Sequence, residues 1–420
     1  MDKFIIQGGG PLRGQVGVGG AKNAVLPIMA ASLLTEGESR VFNAPDLADV
    51  RLLSHLLGEL GVEVVREGDG LRLRVVDETA SWARYDLVRK MRASVCVLGP
   101  MLARRRYARV AMPGGCAIGT RPIDLHLRGL EALGARIELA KGDIIARADR
   151  LRGGEIFLGG AFGSTVTGTA NVMMAAVLAE GRTVIESAAC EPEVQDLAAF
   201  LNAAGARVSG AGTPRIVIEG VESLRGARHR VVPDRIEAGT FMIAAAMTRG
   251  RVRLSEARLD HMMAVVHELR SIGAVVEAAD GGAEAGADGR LRPADVYTQP
   301  YPGFPTDLQA QLMALLCLSD GNSIITEKIY PDRFLHVAEL GRMGAVIRKE
   351  GPTAIVTGAE RLVSAPVMAS DLRASAALVL AGLVAEGDTE VSRVYHIDRG
   401  YERIETKLNE LGARIRRVDV

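Results

Sequence analysis

A thiol set among glycines is the side chain best suited to exchange a proton. Cys116 lies in Pro113-Gly114-Gly115-Cys116-Ala117-Ile118-Gly119-Thr120-Arg121-Pro122-Ile123-Asp124-Leu125-His126, a glycine-punctuated stretch expected to act as a mobile lid. Arg121 supplies a cation that favours the thiolate, so Cys116 is a candidate proton donor. Cys96 and Cys317 fall inside apolar stretches and are expected to be small buried hydrophobes.

Charge also gathers where apolar segments begin. These starts are Gly20-Ala21-Lys22-Asn23, Met91-Arg92-Ala93-Ser94, Thr165 to Asn171, Asp234-Arg235-Ile236-Glu237, Pro305-Thr306-Asp307 and Asp371-Leu372-Arg373. Free N–H groups at a helix N-terminus attract anions. With Lys22, Arg92 and Arg373 at three of the starts, the expected ligand is phosphorylated or carboxylated and held between two domains. A lone Asp307 or Arg373 would be a first-turn residue in a surface ion pair. Charge at the same place in nearly every repeat argues instead for one shared cleft.

The elements behind these starts repeat. Gly61-Val62-Glu63-Val64, Gly134-Ala135-Arg136-Ile137, Gly205-Ala206-Arg207-Val208, Gly273-Ala274-Val275-Val276, Gly344-Ala345-Val346-Ile347 and Gly412-Ala413-Arg414-Ile415 each follow an amphipathic stretch, at spacings of 73, 71, 68, 71 and 68 residues. Such a period means one supersecondary unit used six times. Each unit holds one amphipathic helix, as in Ile404 to Leu411, and one segment apolar nearly all round. The apolar segments are Ala24 to Leu34, Val172 to Ala179, Phe241 to Met247, Leu312 to Leu318 and Ala376 to Ala385, with Ser94 to Ala103 a Gly-Pro-interrupted relative. A helix without a polar face is buried on every side. The fold class is therefore α/β, with two inside-out α/β barrels, each of three βαβ-type units around inner helices. Glu36-Gly37, Glu180-Gly181, Arg249-Gly250, Asp320-Gly321 and Glu386-Gly387 read as helix C′ glycines, and the second unit has Arg104-Arg105-Arg106 there instead.

Composition narrows the function classes. In 420 residues, 51 Lys plus Arg balance 51 Asp plus Glu, so no bulk field favours nucleic acid or an anionic membrane. The cysteines lack metal or disulfide spacing, the start MDKFIIQGGG lacks a signal pattern, and a cytoplasmic protein without metal or cofactor is expected. Gly17-Val18-Gly19-Gly20 lacks the full dinucleotide fingerprint. His126 and His396 lie in site segments and are expected to position neighbours, whereas His55, His261 and His267 read as surface residues.

These motifs, with Phe304-Pro305-Thr306-Asp307-Leu308-Gln309, Asp371-Leu372-Arg373-Ala374-Ser375 and His396-Ile397-Asp398-Arg399-Gly400-Tyr401-Glu402, resemble the UDP-N-acetylglucosamine 1-carboxyvinyltransferases of the EPSP synthase superfamily, from Met1 to about Val418. The resemblance implies a discontinuous domain pair, residues 1–21 with 230–420 and residues 22–229, with the active site in the cleft between them. It implies addition of a sugar 3-hydroxyl to C2 of phosphoenolpyruvate, protonation of C3, and loss of phosphate. In that scheme Cys116 is the acid and the site of alkylation by epoxide antibiotics, and Asp307 receives the hydroxyl proton. Lys22, Arg121 and Arg399 neutralise phosphate and carboxylate, and Asn23, Asp371 and Arg373 orient them. Arg92, Arg121, Pro122, Ile123, Asp124, Leu125 and Ile329 bind the nucleotide sugar, Arg333 flanks it, and Thr165 and Val166 contact phosphate. The stretch Phe162 to Asn171 departs from the family's usual pattern, and Cys190 stands where an Arg usually precedes Glu191 and Glu193. The competing readings are the sister transferase acting on shikimate 3-phosphate and a non-catalytic repeat scaffold.

Overall fold

The structure is a computed structural model describing residues 2–113 and 123–419. It divides into two compact units. Residues 2–19 and 233–419 form a split unit, and residues 20–113 with 123–232 form an inserted one. Each encloses its own apolar core. Gly20, Ala21 and residues 230–232, expected in the split unit, belong to the inserted one. The reason is local pairing: the Ala21 N–H donates to the Val232 carbonyl at 2.7 Å, and Arg228–Arg230 runs in register beside Arg40–Phe42.

The sixfold repeat is built around a backbone requirement. Gly61, Gly134, Gly205, Gly273, Gly344 and Gly412 all have φ between 79° and 106°, a backbone conformation that residues with a side chain rarely adopt. Each reverses the chain after an outer helix and launches a hairpin. In the first repeat, Glu38–Phe42 leads to the outer helix Ala48–Glu59 and the hairpin Val62–Glu67/Gly70–Val75. Gly70–Val75 lies between the other two strands and antiparallel to both. A fourth strand pairs parallel to the first at the far edge. Among the described residues this arrangement recurs in six four-stranded sheets, three per unit.

Chain ends complete the split unit. Arg13–Gly17 pairs parallel to Arg251–Ser255, and Lys3–Gln7 inserts antiparallel between Asp388–Ser392 and Arg414–Val418. Such long-range pairing explains why residues 2–19 fold with the second half of the chain.

Inside each ring of sheets lie three helices among the described residues. In the split unit they are Arg235–Met247, Gln309–Leu316 and Leu372–Val384, and in the inserted unit Lys22–Ala31, Leu98–Arg105 and Val166–Ala176. Every residue of Arg235–Met247 is buried, as required of a helix packed on all sides. These are inside-out α/β barrels. The helix exits differ in detail from the sequence expectation. At Arg249-Gly250 it is Arg249 that takes positive φ (50°), while Gly250 is needed because a Cβ there would lie 2.1 Å from the Leu12 carbonyl oxygen. In the second repeat Arg106 (φ 59°) occupies the left-handed position without help from glycine.

Candidate active site

In the split unit, the starts of the inner helices assemble an ionic cluster. Asp307 sits in the 3₁₀ turn Thr306–Leu308 that precedes Gln309–Leu316. Because that turn closes with the Leu308 N–H donating to the Pro305 carbonyl, the Asp307 carboxylate is not needed as a cap. It accepts from two guanidiniums instead: Arg333 Nη1 to Oδ1 at 2.9 Å and Arg373 Nη2 to Oδ2 at 3.0 Å. Burial alone would raise this carboxyl, but Arg373 and Arg333 outweigh it and hold Asp307 well below the usual carboxylate range.

Arg373 is the more deeply set cation, 2% exposed. Its Nε and Nη1 are buried without a hydrogen-bond partner among the described residues, while Nη2 holds Asp307. Two unspent donors on a fixed guanidinium are what a carboxylate or phosphate would satisfy. The guanidinium carbon lies 5.4 Å from the centre of the Tyr401 ring. Tyr401, fully buried, bonds Thr240 Oγ1 at 2.8 Å and accepts from Gln311 Nε2 at 3.1 Å. Gln311 Nε2 also donates to the Asp307 carbonyl at 3.0 Å, so this polar knot ties the Asp307 backbone to the inner helices.

Asp371 has a different task. Its Oδ1 accepts from the backbone N–H groups of Arg373 (2.9 Å) and Ala374 (3.1 Å), capping Leu372–Val384. It orients Arg373 through the backbone. His336, 1% exposed with Nε2 unpartnered, is pushed down to about 4 by burial, with Asp371 opposing and Arg333 adding to the shift. Arg399 ends the 3₁₀ segment Val394–Arg399, and the Ile329 N–H donates to Glu327 at 2.9 Å.

In the inserted unit, Lys22 begins the inner helix Lys22–Ala31, 8% exposed, with Nζ 2.6 Å from Asp49 Oδ2. Asn23 beside it is exposed, and Arg92 opens the 3₁₀ segment Arg92–Val97. Thr165 caps Val166–Ala176 by accepting from the Gly168 N–H at 3.2 Å, and Val166 is 36% exposed. Asp124 and Leu125 start the helix Asp124–Ala132 directly after the buried Ile123. His126 secures that start: its Nδ1 is 2.9 Å from Asn171 Nδ2 and its Nε2 is 3.1 Å from Thr167 Oγ1. Asn171 Oδ1 accepts from the Gly99 N–H and its Nδ2 donates to the Val95 carbonyl, so the amide orientation is set and Nδ1 is the accepting ring nitrogen.

Cys116, Arg121 and Pro122 lie outside the described residues. Burial pushes Cys96 and Cys317 up to about 12, and burial with Glu191 raises Cys190, so all three favour the thiol. Among the described residues no cluster of His, Cys, Asp or Glu is arranged to hold a metal, and no helix is long and apolar enough to cross a membrane.

The structure brings Asp307, Arg333, Arg373 and Asp371 together in the split unit, and in the inserted one it joins His126 to Thr167 and Asn171 of the helix that Thr165 caps. Sequence reasoning missed Thr306, Gln311, Glu327, His336 and Asp49. Thr306 stands beside Asp307 in the quoted motif, and Gln311, one helical turn beyond Asp307, could have been found from helix spacing. Glu327, His336 and Asp49 carry no local signal.

The EPSP synthase family model (3-phosphoshikimate 1-carboxyvinyltransferase) matches residues 6–408. A UDP-N-acetylglucosamine 1-carboxyvinyltransferase of Anaeromyxobacter sp. (strain K) is 60% identical, covering 100% of both chains. Its namesake from Methylacidiphilum infernorum is 54% identical over 100% of this chain and 99% of its own. Among solved structures, the enolpyruvyl transferase NikO of Streptomyces tendae superposes with a TM-score of 0.89 at 24% identity, covering 100% of this chain and 99% of that one. EPSP synthase of Acinetobacter baumannii gives 0.76 at 19% identity with full coverage of both chains. These two likenesses establish the fold, and the full-length relatives carry the closer assignment. The chain belongs to the EPSP synthase family, among the UDP-N-acetylglucosamine 1-carboxyvinyltransferases.

Proposed function

We propose that the chain transfers the 1-carboxyvinyl group of phosphoenolpyruvate to the 3-hydroxyl of UDP-N-acetylglucosamine and releases phosphate, a step in building peptidoglycan precursors. The observation that carries the chemistry is Asp307 gripped by Arg333 and Arg373, with two further donors of Arg373 unspent. A carboxylate acceptor beside a buried guanidinium suits a reaction that removes a hydroxyl proton next to an anion.

The hydroxyl oxygen bonds to C2 of phosphoenolpyruvate as Asp307 takes its proton, and Cys116 delivers a proton to C3. The tetrahedral adduct then loses a proton from C3 and expels phosphate with the C2–O electron pair, restoring the vinyl group. Lys22, Arg121, Arg373 and Arg399 offset the substrate's negative charge, with Asn23 and Asp371 in support. Arg92, Arg121, Pro122, Ile123, Asp124, Leu125, Ile329 and Arg333 serve the nucleotide sugar, and Thr165 and Val166 the phosphate. In the free protein Asp307 is a weak base because two guanidiniums hold it. A substrate anion drawing on Arg373 raises its basicity at the moment the proton must move.

The family model names the sister reaction on shikimate 3-phosphate, which is the second reading. Phosphate release from phosphoenolpyruvate decides between them. Release with UDP-N-acetylglucosamine and none with shikimate 3-phosphate is the expected result, and the reverse would overturn the assignment.

A further inference from the structure

Glu327 follows the strand Asn322–Thr326 and is fully buried. Its Oε1 accepts from Thr298 Oγ1 at 2.7 Å and from the backbone N–H groups of Ile329 and Tyr330, both at 2.9 Å. Its Oε2 accepts from Thr306 Oγ1 at 2.9 Å. Having given its only proton to Glu327, the Thr306 hydroxyl can only accept, and it does so from Arg333 Nη1 at 3.0 Å. The same nitrogen donates its second hydrogen to Asp307 Oδ1 at 2.9 Å.

We propose that Glu327 is a positioning residue for Asp307: by taking the Thr306 proton it turns the Thr306 lone pairs towards Arg333 in the chain Glu327–Thr306–Arg333–Asp307. This rests on Asp307 being the base of the proposed reaction. A carboxylate here is acceptor-only, so the Thr306 lone pairs always face Arg333, and Arg333 is held at one fixed angle to Asp307. Glu327 also closes the loop carrying Ile329 onto the segment carrying Asp307, so one buried group sets two places assigned to substrate.

Chemistry dictates what an isosteric amide would do. In Glu327→Gln the amide oxygen must stay on the side of Thr298, Ile329 and Tyr330, because turning the NH₂ there would oppose two backbone donors. Its NH₂ then faces Thr306 Oγ1 and donates to it, turning the hydroxyl proton away and competing with Arg333 for the lone pairs. Three of the four bonds survive and the fold is kept, but the link to Arg333 loses its direction.

A double-mutant cycle with single-turnover kinetics tests this. Glu327→Gln is expected to slow the chemical step about 10–100-fold, the scale of a small misplacement of a reacting group. Binding of UDP-N-acetylglucosamine stays within about twofold, since nearly uniform binding is left intact. Combined with Asp307→Asn, Glu327→Gln should slow the reaction no further, because its effect passes through Asp307. A wild-type rate for Glu327→Gln, or a loss that adds in full to that of Asp307→Asn, overturns the proposal while leaving the base in place. Full turnover by Asp307→Asn alone removes the base reading itself, and the positioning role with it. Should Glu327→Gln fail to fold, Thr306→Val and Thr306→Ser carry the same cycle. Serine must restore the rate that valine loses, and equal rates for the two would sink the idea.

Discussion

Asp307 and Asp371 begin successive inner helices of one barrel, yet the two carboxylates have been given opposite work. Asp371 spends an oxygen on the first N–H groups of its own helix, whereas Asp307 is relieved of that duty by a 3₁₀ turn and turns outward to Arg333 and Arg373. A helix start offers a carboxylate either a structural partner or a chemical one. Which it takes depends on a single turn of backbone.

The largest break in this contrast comes from removing each carboxylate in turn. Asp307→Ala should slow single-turnover phosphate release by about 10²–10⁴-fold, the usual worth of general acid–base catalysis, with UDP-N-acetylglucosamine affinity nearly kept. Asp371→Asn keeps a capping oxygen and should lose far less. If quench-flow shows Asp307→Ala at full rate and Asp371→Asn crippled, the roles must be exchanged.

Acid sharpens the contrast next, because His336 and Asp307 titrate in different windows. His336 is depressed in the folded state to about 4 from 6.5, so between those values the unfolded chain binds more protons and stability falls as pH falls. The loss saturates near about 3 kcal/mol below the folded value. Asp307, also depressed, holds its contribution above the ordinary carboxylate range and loses it only at lower pH. Urea titrations should show the slope between about pH 6.5 and 4 flattened in His336→Leu. An unchanged slope would place its cause elsewhere.

A smaller effect is expected beneath Asp307. Tyr401→Phe strips the hydroxyl that bonds Thr240 and accepts from Gln311, and should cost about 1–3 kcal/mol in urea unfolding, the penalty of an unsatisfied buried group. Its effect on rate should exceed any effect on sugar-nucleotide affinity, since Gln311 also holds the Asp307 carbonyl. Smallest of all is Asp371→Ala, which removes a cap and should cost about 1 kcal/mol. Differential scanning calorimetry that finds no loss would mean the cap is not needed.

Much of this was legible in the chain itself. The spacing of six glycines announced the repeat, because only glycine sits easily at positive φ after an outer helix, and the apolar segments announced inner helices because no polar face was left for water. Charged helix starts pointed to Asp307, Asp371, Arg373 and Lys22. Local sequence could not say which carboxylate caps and which takes the arginines, since a 3₁₀ turn and an α-helix start differ by one backbone hydrogen bond. Nor could it reveal Glu327 behind Thr306, or Asp49 beneath Lys22, whose partners lie tens of residues away. Periodicity records what each segment must bury. Which buried charges meet is decided only when sheets from distant repeats close around the helices, because an ion pair in a core is a property of the space between segments.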